Sequence, residues 1–221
     1  MKENEKELVK TIQKLSGKYS HHQVFADWIE CFALSIVNAV TIFHGKLWNE
    51  REKQYINIMK RYDEKERMEI VKMSYLLTET MKSDMSDILG RIYMESGSGN
   101  KNTAQFFTPF PLSLICAESV IPKDYDGSRK ITLYEPSAGA GGMIIAAAAI
   151  LQRKELNYQN CIKAVAQDLD WIAVYMCYVQ LSLLGIDAVV VQGDTLSDPY
   201  ISGHYPQNRI FRTPKNMGLL F

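Results

Sequence analysis

Glu135-Pro136-Ser137-Ala138-Gly139-Ala140-Gly141-Gly142 constrains this chain more than any other segment. It lies between an apolar run, Ile131-Thr132-Leu133-Tyr134, and the helix-forming stretch Met143-Ile144-Ile145-Ala146-Ala147-Ala148-Ala149-Ile150. The order reads as strand, glycine turn, helix. Glycine reaches positive φ without steric cost and carries no Cβ, so such a turn can pass close beneath a ligand whose charged end faces the helix N-terminus. The carboxylate of Glu135 at the strand tip suits a cationic group and repels a pyrophosphate. An acid beside a glycine cradle therefore fits the amino-acid end and ribose of S-adenosylmethionine better than a dinucleotide. A tight turn closing a buried strand would carry similar residues, and the segment alone leaves both readings open.

The chain changes character near residue 96. Before it, apolar residues recur at helical spacing: Leu8, Ile12 and Leu15; Val24, Phe25, Trp28, Ile29, Phe32, Ile36 and Val37; Tyr55, Ile58 and Met59; Met68, Val71 and Tyr75; then Met85 and Ile88. Residues 1–95 are read as a helical domain, 96–103 as a flexible Ser/Gly/Asn linker, and 104–221 as the domain that holds the glycine turn. In this last part strand and helix patterns alternate. A helix is expected over 111–120, a strand over 131–134, a helix from Met143, a strand over 162–166, a helix over 171–184 and a strand over 188–191. Such alternation implies a parallel sheet covered by helices, an α/β class.

Charge and cysteine usage narrow the class. Lysine and arginine balance aspartate and glutamate at 25 each, so no overall field draws the chain onto nucleic acid; a DNA surface would be local or lent by a partner. Cys31, Cys116, Cys161 and Cys177 lack paired spacing and read as buried free thiols of a reducing cytoplasm. The polar, acidic N-terminus is unlike a secretory signal, no apolar run is expected to reach membrane-spanning length, and no His or Cys spacing suggests a metal. His21 and His22 are read as capping or surface residues. Met68, Met73, Met81, Met85 and Met94 are read as core filler, and the mixed charges of residues 60–67 as a solvated helix face.

Acids recur at the strand ends. In an open parallel sheet, side chains at the carboxyl ends converge even when far apart in sequence. Asp168 follows the second strand, placed to accept hydrogen bonds from ribose hydroxyls. Asp194 follows the third, where it could meet an adenine amino group. Each taken alone would also suit a helix cap or a turn.

Upstream stands Ala104-Gln105-Phe106-Phe107-Thr108-Pro109. Together with Glu135–Gly142, Gln167-Asp168-Leu169-Asp170 and Gly193-Asp194-Thr195-Leu196, in this order and at similar spacings, it resembles the adenine-N6 DNA methyltransferases, especially the modification subunits of type I restriction-modification systems. The resemblance implies a Rossmann-like, S-adenosylmethionine-dependent methyltransferase fold with a partial parallel sheet, preceded by an N-terminal helical domain. It places Phe107, Thr108 and Pro109 against the cofactor. Glu135, Pro136, Ser137, Gly139, Gly141 and Gly142 would hold its methionine part, Asp168 its ribose and Asp194 its adenine, with Leu169 and Thr195 in the same site. DNA would be the substrate, with a specificity-subunit-like partner or a second copy of the chain supplying target recognition.

One departure from the family matters more than the matches. Its enzymes carry an Asn or Asp followed by Pro-Pro and an aromatic, which hold the target amino group and stack on the flipped base. Ser197-Asp198-Pro199-Tyr200 comes nearest, yet it lacks one proline and follows Asp194 too closely, so Asp198, Pro199 and Tyr200 are only weak catalytic candidates and an Asp-Pro turn accounts for them better. The expectation is a cofactor half without the base-handling half. Two functions remain: an adenine-N6 methyltransferase, or a catalytically inactive methyltransferase-like module that acts through a partner. With three confident strands, the edge of the first strand is expected to be covered by residues 205–214 or by another chain.

Overall fold

The computed structural model of the chain describes residues 1–98, 107–200 and 204–219. Two compact units divide it, Met1–Asp84 with Ile88–Phe106, and Met85–Asp87 with Phe107–Phe221.

The first unit is helical: α1 (Glu3–Leu15), α2 (His21–Val40), α3 (Lys46–Met59), α4 (Glu64–Ser83) and α5 (Ile88–Glu95). Local chemistry sets the starts. Ser20 caps α2 by accepting from the Gln23 amide. Asp63 and Glu66 form a reciprocal capping box at the start of α4, each side chain accepting from the other's backbone amide at 2.9 and 2.8 Å. Leu8, Ile12, Val24, Phe25, Trp28, Ile29, Met73 and Leu77 are wholly buried, and burying each such side chain contributes about 1.5–3 kcal/mol. Contrary to the expectation that no apolar run reaches spanning length, helix α2 is long and apolar enough to cross a membrane by length and composition, but its apolar side chains Phe25, Trp28 and Ile29 lie in this core.

Helix α4 buries the face opposite to the one its spacing suggested. Met68, Val71 and Tyr75 are exposed, whereas Ile70, Met73, Leu77 and Met81 are buried. At about 100° per residue these two stripes lie on nearly opposite sides of the helix. Met94 is exposed as well, so of the methionines read as core filler, Met68 and Met94 are not. The first unit also buries carboxylates that helical spacing does not reveal. Asp27 accepts from Gln23, Arg61 and Tyr62, and Glu5 accepts from Arg91. At the head of the Ser/Gly-rich stretch, Ser96 and Ser98 are buried; the Ser98 hydroxyl donates to the His21 carbonyl and the His22 ring meets the Ser98 carbonyl at 2.8 Å. Residues 99–103 lie outside the described residues.

The second unit is α/β: α6 (Phe110–Val120), β1 (Ile131–Glu135), α7 (Gly142–Arg153), the short α8 (Tyr158–Cys161), β2 (Ile162–Asp168), α9 (Trp171–Leu183), β3 (Asp187–Gln192) and β4 (Ile210–Arg212). The sheet order is β1-β2-β3-β4, with β1, β2 and β3 parallel and β4 antiparallel to β3. The register places Glu135 opposite Ala166 and Asp168 opposite Gln192, so the carboxyl ends of the three parallel strands share one side of the sheet. Ala188-Val189-Val190-Val191 is a continuous buried run, as an inner strand of such a sheet requires, whereas β1 alternates between half-buried and exposed residues, as an edge strand does.

Two expectations are corrected here. The C-terminal strand does not cover β1; it pairs with β3, on the other side of the sheet. Thr213 holds it there, its hydroxyl donating to the Ile186 carbonyl at 2.7 Å and accepting from the Ala188 amide at 3.0 Å. Cys31, Cys161 and Cys177 are buried free thiols, but Cys116 is exposed on α6.

Candidate functional site

Glu135 ends β1, and the glycine turn begins directly after it. Gly139 and Gly141 adopt positive φ, +53° and +90°, and Gly141 caps α7 in the left-handed region that other residues rarely enter. The turn is fastened at three points. Ala138 donates its amide to the Gln167 carbonyl, Gly141 to the Ala138 carbonyl, and Gly139 to Asp168 Oδ2 at 2.8 Å.

Asp168 is therefore more than a helix cap. The cap of α9 is Asp170, which accepts from the Ala173 amide, while Asp168 accepts from the amides of Gly139 and Asp170. Burial pushes the Asp168 carboxyl above the ordinary aspartate range, and those amides oppose the shift without cancelling it. Burial raises Glu135 too; the Ser137 amide lowers it and the charge of Asp168 adds to the rise. No cationic side chain pairs with either acid among the described residues. Two half-buried carboxylates with spare acceptor capacity, beside a turn without Cβ atoms, suit a ligand with an ammonium group and hydroxyls.

Of the upstream segment, Ala104, Gln105 and Phe106 lie outside the described residues. The Phe107 ring lies against the turn, and a Cβ on Gly139 would stand 2.9 Å from its Cδ1. Thr108 is exposed, and Pro109, also exposed, is the cap residue of α6. Thr195, after β3, reaches back to the turn after β1, its hydroxyl donating to the Pro136 carbonyl at 2.7 Å. Leu169 and Leu196 are both exposed. Asp194 serves its own turn: it accepts from the Ser197 hydroxyl and the Leu196 amide, which hold its carboxyl below the usual aspartate range.

Gln167 and Gln180 carry functions that sequence reasoning missed. Gln167 is wholly buried; its amide nitrogen donates to the Asp198 carbonyl and the Tyr205 hydroxyl, and its oxygen accepts from the Tyr200 amide and the Tyr134 hydroxyl. The loop holding Asp198-Pro199-Tyr200 is thereby pinned to β2. Asp198 contributes its carbonyl, while the Tyr200 ring packs against Tyr205 and the cluster of Val189, Val191 and Ile210. Gln180, buried on α9, donates to the Ala140 carbonyl of the glycine turn and to Asp87. A glutamine in a largely apolar strand or helix is the sequence signal for either residue.

The family model of the N-6 DNA methylases matches residues 84–215, more than half of the chain. Among solved structures, a protein of Listeria monocytogenes assigned to the class I S-adenosylmethionine-dependent methyltransferases is similar at a TM-score of 0.50 and 13% identity, over 93% of this chain and 61% of that one. The methyltransferase subunit of a type I restriction-modification system from Streptococcus thermophilus follows at a TM-score of 0.47 and 17% identity, over 90% of this chain and 41% of that one. The chain thus spans less than two thirds of the length of either. No curated protein matches it.

Proposed function

This chain belongs to the N-6 DNA methylase family, and on that premise we propose that it binds S-adenosylmethionine at the carboxyl ends of β1, β2 and β3, as the cofactor-holding part of an adenine-N6 DNA methyltransferase of a restriction-modification system. The observation that carries the proposal is the bond from the Gly139 amide to Asp168, which joins the glycine turn after β1 to the acid after β2. Glu135 accepts from the cofactor's ammonium group, Asp168 from its ribose hydroxyls and Asp194 from its adenine, and Phe107 closes over the turn. When bound, the cofactor supplies an electrophilic methyl group. The protein's own contribution is orientation, which can lower a barrier by roughly 7–11 kcal/mol when the reacting atoms are well placed.

Calorimetric titration with S-adenosylmethionine tests the assignment. Glu135→Gln and the double variant Asp168→Asn/Asp194→Asn should weaken binding at least about tenfold, the equivalent of 1.4 kcal/mol. Affinity unchanged in both variants would overturn it.

A second reading, a module that needs a partner for catalysis, is favoured by the Asp198–Tyr200 loop. Its carbonyl, amide and ring are already used to hold the fold. The segments 135–142, 167–171 and 192–200 also contain no lysine or arginine. DNA phosphates approaching this acidic edge would need cations from another protein, a specificity-subunit-like chain or a second copy, acting with this one in the cytoplasm. Among the described residues no strand pairs with the outer edge of β1, which offers such a partner a place to add strands. Radiolabelled methyl transfer to a random-sequence DNA pool, with and without candidate partners, separates the readings. Turnover by the isolated chain that is abolished by Tyr200→Ala would make Asp198-Pro199-Tyr200 a shortened catalytic motif.

A further inference from the structure

A cavity of about 380 Å³ opens between α2 and α3 of the helical unit, remote in sequence from every residue considered so far. Its walls include Leu34, Asn38, His44, Trp48, Glu52 and Tyr55, and no lysine or arginine lines it. The connection between the two helices bears Ile42 and Phe43, which are 77% and 85% exposed, directly before His44.

The polar groups of this cavity are arranged in one sense. Asn38 is 8% exposed, and its Nδ2 donates to the Trp48 carbonyl at 3.3 Å and to Glu52 Oε2 at 3.2 Å. Two acceptors on that side settle the orientation of the amide, since the flipped form would set oxygen against oxygen. Its Oδ1 is closed to solvent and receives no hydrogen bond among the described residues, so the Glu52 carboxylate is left as the acceptor open to a ligand. The Trp48 indole is held by its own bond to the Asn38 carbonyl at 3.2 Å, and the His44 ring stacks on it at 4.2 Å with planes 16° apart. The cavity therefore offers a half-buried carboxylate and aromatic walls.

These features select a ligand that is planar, cationic and rich in N–H donors. An anion would meet Glu52 with no cation to offset it. A nucleobase could stack, but it would bring a phosphate toward the same carboxylate. An ammonium group presents its charge as a strongly hydrated point and stacks poorly, whereas a guanidinium combines a flat face for an indole with several donors in one plane. We propose that the groove between α2 and α3 receives an arginine side chain from an extended segment of a partner protein. The guanidinium lies on the aromatic wall and donates to Glu52, and the apolar neighbours of the arginine rest on Ile42 and Phe43.

The test is a titration of the full chain with an acetylated, amidated Leu-Arg-Leu tripeptide, followed by tryptophan fluorescence and by calorimetry, beside the same peptide with citrulline in place of arginine. Citrulline keeps the shape and loses the charge. The arginine peptide should bind saturably and at least about tenfold more tightly than the citrulline peptide, and Glu52→Gln should remove most of that difference. The melting temperature of Glu52→Gln, measured alongside, should match that of the parent chain, so that loss of binding is not loss of fold. Trp48→Phe should weaken both peptides together, since it shrinks the stacking wall without touching the charge. Equal affinity for the two peptides, no binding at millimolar concentration, or arginine selectivity that persists in Glu52→Gln would each overturn the proposal.

Discussion

Tyr205 occupies the space that a side chain on Gly193 would need: a Cβ built on Gly193 would stand 2.6 Å from the phenol oxygen and 2.7 Å from Cε1. Gly193 follows β3, and its amide donates to the Asp168 carbonyl at 2.9 Å, so it cannot retreat from the ring without giving up that bond. The glycine that opens Gly193-Asp194-Thr195-Leu196 is thus required by packing rather than by φ. Gly193→Ala should destabilise the protein by roughly 1–3 kcal/mol, the usual range for overpacking. Urea denaturation measures it. Tyr205→Phe should not restore stability in that background, because Cε1 remains in place after the oxygen is gone.

Gln167 should be the most costly polar residue in the second unit. Gln167→Leu leaves the Tyr200 amide and the Tyr134 hydroxyl without this acceptor and removes one donor from the Asp198 carbonyl, which the Tyr205 hydroxyl still reaches, and a loss on the order of 2–3 kcal/mol is expected. Asp198→Ala should stay within about 0.5 kcal/mol of the parent chain, since the loop uses the Asp198 carbonyl and leaves its exposed side chain aside. Equal losses in the two variants, by the same urea measurement, would contradict this account.

On α4, Met73→Ala should cost about 2–5 kcal/mol through the cavity it leaves, whereas Met68→Ser should be nearly neutral. Met73 is 0% exposed and Met68 is 68% exposed. Thermal unfolding of the pair distinguishes the observed buried face from the one suggested by spacing.

Gly139→Ala should fail for two separable reasons. The left-handed backbone at φ +53° costs a Cβ-bearing residue about 1–2 kcal/mol, and the Phe107 ring blocks the Cβ as well. Adding Phe107→Ala should relieve the clash and leave the backbone term. A double variant no more stable than Gly139→Ala alone, in a thermal melt, would show that the ring yields freely.

The affinity for S-adenosylmethionine should fall as the pH is lowered. Burial raises the carboxyls of Glu135 and Asp168 in the free protein, and a bound ammonium group favours their ionised forms. Binding is then at full strength above the raised values and is lost as the pH drops through them, beginning above the ordinary glutamate value of 4.5. Folding stability takes the opposite sign. Because these groups hold protons more tightly in the folded state, they cost stability above the raised values, and that cost vanishes below the unfolded ones. Calorimetric titrations across the range, with Glu135→Gln flattening the profile, check the binding arm.

Much of the second unit could be read directly from the residues. The run Ile131-Thr132-Leu133-Tyr134, the glycine turn and the alanine-rich stretch after it became β1, the turn and α7, and the elements expected at 162–166, 171–184 and 188–191 appear with ends shifted by no more than two residues. Those elements are specified locally, by short-range periodicity and by residues whose backbone preferences stand out. The acids at strand ends were legible for the same reason, since alternation of strands and helices already implies which ends share a side.

What escaped depends on partners distant in the chain. Helix α4 has two apolar stripes, and only the packing of neighbouring helices decided that Met73 and Leu77, rather than Met68 and Tyr75, turn inward. Ile210–Arg212 could be read as a short strand, but the choice of β3 over β1 rests on Thr213 finding the Ile186 carbonyl and the Ala188 amide. Asp168 could be placed at the end of its strand, but not named as the brace of the glycine turn, because that role needs the Gly139 amide 29 residues away in sequence. By itself the sequence determined where strands, turns and helices form and which residue types stand at their ends, because nearest-neighbour sterics and hydrophobic periodicity act within a few residues. Only the tertiary structure decided which faces are buried, which edge the last strand joins and which polar side chains hold the loops, because each of these is settled by steric fit and hydrogen-bond satisfaction between groups that meet only once the chain has folded.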